Sequence, residues 1–363
     1  MSFTDEERNR ILTRCTRFLS YHYPKPLAQR MREIADSPYG EISQDRYGSG
    51  GFLQQFEAEI ASLLGKEAAV FMPSGTMAQQ IALRIWADRI GNKRSAFHPT
   101  CHLEIHEHKA YRELHHLEAV LVGSPERPIT VADLEAIEEP VSSLLLELPQ
   151  REIGGQLPSW DELLAQADWA RARSARLHMD GARLWECAPF YGRPYAEIAA
   201  PFDTVYVSFY KILQGLPGAA LAGPADVIKE ARIWQRRHGG NLQQQSPAAV
   251  SAKLGLDRHL PRMAEYCAKA IELCAAFRDI EGVTVVPDPP HTNMMHIHLR
   301  GDADELRTRS LEVADETNTL VVDHVAPSGR EGVQKWELTV GTAGLDIPTE
   351  EAVRLLRRIV GAD

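Results

Sequence analysis

A chain of 363 residues is too long for one small hydrophobic core and long enough for about two domains. Hydrophobic residues make up 44% and charged residues 25%, an ordinary globular balance. The formal net charge of -10, with no long run of either sign, excludes a nucleic-acid or anionic-membrane surface.

The opening stretch "MSFTDEERNRILTRCTRF" is charged throughout and lacks the apolar centre of a secretory signal. Residues 1–40 are expected to form a separate helical segment. "GFLQQFEAEIASLLG" places Phe52, Phe56, Ile60 and Leu63 on one helical face. "KEAAVFMP" reads as a short buried strand ended by Pro73, and "TMAQQIALRIWADRI" as a helix. Short apolar strands follow at "SAFHP", "EAVLVG", "SSLLLELP", "ARLHMDG", "DTVYVSF" and "GAALAG". Helical patterns such as "VADLEAIEE" and "SWDELLAQADWARAR" separate several of them. This rhythm predicts an α/β domain over residues 41–250, a mostly parallel sheet with helices on both faces. "AAVSAKLGLDRHLPRMAEYCAKAIELCAAFRDI" then predicts one long helix bridging into a smaller α+β domain, residues 251–363. Its strands "VTVVP", "NMMHIHL", "TLVVDH" and "WELTVG" suit an antiparallel sheet. No stretch reaches the ~20 apolar residues of a membrane span. The cysteine count of 5 is odd and includes no C-x-x-C pair, which argues against a disulfide framework or structural zinc and for a cytoplasmic location.

Ligands of an open parallel sheet bind beyond the carboxyl ends of its strands. After "AAVFM", the segment "PSGTM" sets Ser74, Gly75 and Thr76 at a helix start, where free N–H groups and hydroxyls either cap the helix or hold a phosphate. Neither G-x-x-x-x-G-K nor G-x-G-x-x-G occurs, so a nucleotide is not indicated. After "SAFHP" comes "TCHLEIHEHKAY". His102 and His106, four apart, suit a solvated helix start, a metal, or, for His102, a flat ring stacked on a flat ligand. No metal is predicted. Asp180 ends the strand "ARLHM" and needs a positive partner, either Arg183 or a protonated ring nitrogen of a ligand. Lys211 stands at the end of "DTVYVSF". Alone it reads as an amine snorkelling to water, or as one held for carbonyl chemistry. An anion-binding helix start, a stacking imidazole, a buried carboxylate and a strand-end lysine are together the requirements of pyridoxal 5'-phosphate.

The segments "RYGSGGFLQQFEAEIASLLGKEAAVFMPSGTMAQQIAL", "CHLEIHE", "LHMDGARLWECAPFYG", "SFYK" and "HGGNLQQ", with the Gly154–Gly155 pair and "HTNMM" at residues 291–295, are similar to the threonine aldolase and β-eliminating lyase family. Those are pyridoxal-phosphate enzymes of the aspartate aminotransferase-like fold, type I. The resemblance implies that Lys211 carries the cofactor, Asp180 pairs with its ring nitrogen and His102 stacks on its ring. It implies that Ser74, Gly75, Thr76 and Ser208 hold the phosphate, and that Arg183 lies near the phenolic oxygen and the substrate carboxylate. Tyr47 is expected to reach the site from a neighbouring subunit of a homodimer or homotetramer. The implied reaction cleaves Cα–Cβ of a β-hydroxy-α-amino acid to glycine and an aldehyde, with β-elimination as the alternative.

The sequence departs from the family pattern on the substrate side. The family's E-N-T-H reads "ELPQ", so Gln150 replaces a histidine and cannot take a proton at neutral pH. "GGGMRQ" reads "GGNLQQ", which puts Gln243 where an arginine stands. "YGED" reads "YGSG", and Glu337 falls near the position of a carboxylate-binding arginine. Gln150 and Gln243 are therefore expected to face the substrate and to set which substrate is taken.

Overall fold

In the computed structural model, residues 3–362 are described. Thr4 caps the first helix, Asp5–Arg14: its side chain accepts from the Glu7 N–H, and Glu7 reaches back to the Thr4 backbone. The strand β1 (Arg17–Phe18) then pairs in parallel with Thr319–Leu320. That pairing ties the N-terminus to the C-terminal part of the chain. The smaller compact unit accordingly comprises residues 3–25, 153–156 and 262–362, and the larger one residues 26–152 and 157–261. The first 40 residues, expected as a separate segment, thus divide between the two units.

The larger unit is built on β2 (Ala68–Met72), β3 (Arg94–Phe97), β4 (Glu118–Leu121), β5 (Ser143–Glu147), β6 (Arg176–Gly181), β7 (Thr204–Ser208) and β8 (Ala219–Gly223). Their order in the sheet is β2-β8-β7-β6-β5-β3-β4. β8 runs antiparallel to both its neighbours, and the remaining pairs are parallel. Strands β7 and β8 are buried along their whole length, as their unbroken apolar runs require. The helices Gly75–Ile90 and Ala225–Arg237 pack on this sheet through Ile81, Ile85, Val227 and Ile228 against Val70, Tyr206 and Leu221. Each such side chain removed from water contributes about 1.5–3 kcal/mol.

The long helix expected after residue 247 is two helices, Ser246–His259 and Met263–Phe277, with a 3-10 turn at Leu260–Arg262 between them. Pro261 has no N–H to continue the ladder and its ring crowds the preceding turn. The division between the two units falls at that proline.

In the smaller unit, β9 (Val283–Val286), β10 (Met294–Arg300), β12 (Ala326–Pro327) and β13 (Val333–Thr339) form an antiparallel sheet in the order β12-β13-β10-β9, and β11 (Thr319–Leu320) is the partner of β1. Trp336, Phe277, Ile297 and Leu355 lie in its core. The helix Thr349–Val360 buries Ala352, Leu355, Leu356 and Ile359, the stripe that a 3.6-residue period places on one face. Gly154 belongs to this unit and has φ +84°; a Cβ there would lie 2.2 Å from the Val286 carbonyl oxygen, so only glycine fits. Among the described residues no helix is long and apolar enough to cross a membrane.

Candidate active site

The carboxyl ends of β5 and β6 bring two acids side by side. Glu147 and Asp180 are register partners, and the Leu148 N–H donates to the Asp180 carbonyl at 2.9 Å. Asp180 is 1% exposed. Its Oδ1 accepts the Ala182 N–H at 3.0 Å, and the Gln79 amide, from the helix Gly75–Ile90, also hydrogen-bonds to it. Burial raises the Asp180 carboxyl above its ordinary value, opposed first by the charge of Lys211. Burial, and then the Asp180 charge, push Glu147 up to about 7. Glu147 accepts the Arg151 N–H at 3.1 Å and the Gln150 side-chain N–H at 3.0 Å. Two neighbouring carboxyls taken from water resist ionising together, so the pair retains a proton near neutral pH.

Lys211 lies in the bend that follows β7, where the chain leaves the sheet. Burial pushes its amine down to about 8, and the nearby Arg183 guanidinium pushes the same way. The amine makes no hydrogen bond to any described residue. Arg183, in the turn after β6, is 7% exposed. A desolvated lysine beside another cation is the arrangement that supplies a neutral, nucleophilic amine near physiological pH.

At the end of β2, Ser74 caps the helix Gly75–Ile90, its Oγ accepting the Met77 N–H at 3.3 Å. The first N–H groups of this helix have no intrahelical acceptor and are available to an anion. A Cβ on Gly75 would lie 1.9 Å from the Tyr206 hydroxyl oxygen, so the phenol of β7 rests against the helix start. Tyr206 in turn donates to Tyr210, the residue before Lys211. Ser208 is buried, and its hydroxyl donates to the Ala182 carbonyl at 2.8 Å.

After β3, the short helix His102–Ile105 presents the His102 ring. His102 Nδ1 donates to Glu107 Oε1 at 2.9 Å, and Gln80 donates to Glu107 Oε2 at 3.0 Å. This chain of bonds fixes the ring plane and leaves the lone pair of the neutral imidazole on Nε2. His102 is also among the groups that act electrostatically on Asp180, which places the ring near that acid. One turn on, His106 Nε2 bonds Glu152 Oε1 at 2.9 Å. Among the described residues no three His, Cys, Asp or Glu side chains converge as a metal would require.

Lys211, Asp180, Arg183 and His102, named from the sequence, thus act on one another electrostatically at one edge of the sheet. Gln150 joins them through Glu147, but it is 4% exposed and turned inward; its N–H groups reach Glu147 and the Thr100 hydroxyl. Tyr47 and Gln243 lie apart, on two loops tied together: the Tyr47 N–H donates to the Gln243 carbonyl at 3.0 Å, and Asp45 accepts the Gln245 and Ser246 N–H groups at 2.7 Å. Neither Tyr47 nor Gln243 hydrogen-bonds to the Lys211 cluster. Glu337 stands on β13 of the smaller unit, 3.7 Å from His296. The sequence alone gives Gln79, Gln80, Glu107, Tyr206 and Tyr210 no role. The only signal was a pair of amides in an otherwise apolar helix, and aromatics flanking the lysine.

The arrangement fits pyridoxal 5'-phosphate. A buried carboxylate, a bare amine, an oriented flat ring and a glycine-lined helix start are the four fittings that cofactor needs.

Glu147 offers a test that needs no substrate. Its value in the folded chain, about 7, lies above the ordinary 4.5, so folding disfavours its charged form. Glu147's contribution to the stability of the cofactor-free protein should fall as pH rises from the lower value to the higher, by an amount on the order of a few kcal/mol, and level off beyond. Cofactor-free Glu147→Gln should therefore melt above the wild type at pH near 8, with the gap closing below about pH 5. A gap independent of pH in thermal melts would contradict the assigned cause.

The sequence pattern of the beta-eliminating lyases matches residues 27–300, most of the chain. The chain belongs to the beta-eliminating lyase family. The lyase is 41% identical to the solved structure of a candidate L-allo-threonine aldolase from Listeria monocytogenes EGD-E, with a TM-score of 0.92 and 98% of this chain and 99% of that one covered. It is 39% identical to a candidate aromatic amino acid beta-eliminating lyase/threonine aldolase from Exiguobacterium sp. 255-15, with a TM-score of 0.93 and coverage of 98% and 100%. Low-specificity L-threonine aldolase 1 of Arabidopsis thaliana is 26% identical over 294 residues, 78% of the lyase and 81% of that protein. The lyase has the aspartate aminotransferase-like fold, type I, and depends on pyridoxal 5'-phosphate.

Proposed function

We propose that the protein cleaves the Cα–Cβ bond of a β-hydroxy-α-amino acid, releasing glycine and an aldehyde. The observation that carries this reading is the meeting of Lys211, Asp180, Arg183 and His102 beyond the carboxyl ends of the sheet strands. Relatives named as threonine aldolases, matching 78% to 98% of the chain, support it.

When bound, pyridoxal phosphate supplies a ring that accepts the electron pair of a bond broken at Cα. The protein's part is binding, orientation and proton placement. Ser74, Gly75 and Thr76 would hold the phosphate, joined by Ser208 once its hydroxyl turns from the Ala182 carbonyl; Asp180 would keep the ring nitrogen protonated and His102 would lie against the ring. Lys211 carries the cofactor and, as a neutral amine near pH 8, moves a proton at Cα. Arg183 holds the substrate carboxylate. The buried Asp180 and the half-buried Glu147 beside it share a stored proton.

Gln150 favours a second reading, in which Lys211 takes the Cα proton and a β-substituent leaves, giving a keto acid and ammonia. A panel of β-hydroxy-α-amino acids separates the two by products: glycine with an aldehyde supports cleavage, and keto acid with ammonia and no glycine from any member removes it.

The exposed Tyr47, at φ +53°, is suited to enter a neighbouring subunit's site in a homodimer or homotetramer. Five free, buried cysteines suit a cytoplasmic setting.

A further inference from the structure

The residue that stands where the family has a histidine, Gln150, is closed off. It spends its N–H groups on Glu147 and Thr100 and shows almost no surface. A retro-aldol cleavage still needs a base for the β-hydroxyl proton, and an amide cannot supply one. The loops that carry Gln150 and Thr100 also carry Glu152 and His106. The His106 ring lies 5.0 Å from the His102 ring, centroid to centroid. Its side chain is 39% exposed, whereas the Glu152 side chain is 19% exposed. A carboxylate can only accept, so His106 Nε2 carries the hydrogen of the 2.9 Å bond to Glu152, and the lone pair of the neutral ring lies on Nδ1. Nδ1 has no hydrogen-bond partner among the described residues. Arg151 also donates to Glu152 at 3.1 Å and holds that carboxylate in place. An oriented imidazole with a free nitrogen, backed by a carboxylate, therefore stands beside the ring platform of His102.

We propose that His106 is the catalytic base for the β-hydroxyl of the substrate, with Glu152 as its positioning residue. The inference rests on the aldolase reading above. In the step, Nδ1 takes the hydroxyl proton, the C–O bond becomes the aldehyde carbonyl, and Cα–Cβ breaks with its electron pair staying at Cα. Cα then takes a proton from the Lys211 ammonium to give glycine, and the hydroxyl proton held by the imidazolium passes through water to restore it, so no oxidant or other reactant is consumed. The base thus comes from the helix that begins at His102 instead of from the loop after β5.

The test uses the cofactor-loaded enzyme and three readouts: aldehyde release, exchange of the glycine Cα hydrogen in heavy water, and the visible absorbance of the bound cofactor. Cα exchange requires no base at a β-hydroxyl. His106→Gln should lower aldehyde release by about 10²-fold while exchange and absorbance stay at the wild-type level. Added imidazole should restore aldehyde release in His106→Ala, which a structural role would not permit. Glu152→Gln should lower kcat for cleavage and leave exchange unchanged. Equal loss of cleavage and exchange, or an active His106→Gln, would overturn the assignment while leaving the aldolase reading standing. A wild type that binds cofactor and exchanges glycine but cleaves no β-hydroxy amino acid would overturn both.

Discussion

Lys211→Ala should reduce turnover by roughly 10⁴-fold or more and abolish the visible absorbance of covalently held cofactor. The variant loses both the nucleophile that carries the cofactor and the proton carrier at Cα; proton transfer alone accounts for about 10²–10⁴-fold. The pH dependence has a definite sign. The amine is pushed down to about 8 by burial, so the neutral fraction falls about tenfold for each unit below that value. Cofactor capture by the wild type should rise with pH and level off above about 8. The same depression has a stability consequence. Folding penalises the ammonium, so the cofactor-free protein gains stability as pH climbs from about 8 toward the ordinary 10.5. Cofactor-free Lys211→Met should accordingly melt above the wild type at pH 7, and the difference should close at high pH. A variant that still shows the absorbance and turns over would refute the assignment of this lysine.

Asp180→Asn tests the other end of the cofactor site. The substitution keeps the shape and the Ala182 N–H bond but removes the charge that would face a protonated ring nitrogen. Breaking a buried charge pair on one side costs about 3 kcal/mol or more, equivalent to roughly 10²-fold. We expect kcat to fall by that factor and the rise in melting temperature on adding pyridoxal phosphate to shrink. The cofactor-free variant should itself melt higher than the wild type, because Glu147 loses its like-charged neighbour. Unchanged kcat together with an unchanged cofactor-induced shift would show that Asp180 does not face the ring.

The two substitutions bracket one physical idea. Without cofactor, burial keeps the lysine short of its charge and the two acids short of theirs. A cofactor that brings a carbonyl and a basic nitrogen relieves both. Stability that burial costs the cofactor-free protein is thereby returned as binding.

Much of this could be read from the chain alone. The alternation of apolar runs with helical periods sufficed for the parallel sheet, because strands buried on both faces are apolar throughout. "PSGTM", "HMDGAR" and "SFYK" sufficed for the cofactor, because each follows a strand and such positions gather at one edge. Lys211, ambiguous by itself, was decided by that company. Proline punctuation is legible too: Pro261 ends a helix that the apolar period alone would continue.

The chain's order of residues thus carries the local and the periodic: element types, the strand-end residues and the cofactor they suit. The tertiary structure decided what depends on contacts between distant segments. Only folding sets Gln80 against Glu107 and His102, Tyr206 against Gly75, and Asp180 against Glu147, and only β1 pairing with β11 assigns the N-terminus to the smaller unit. The tertiary structure also turned Gln150 inward and left His106 open, a distinction that rests on burial. The reason is physical: a residue's type fixes the bonds it can make, and the three-dimensional packing selects which of those bonds are made and which nitrogen is left free.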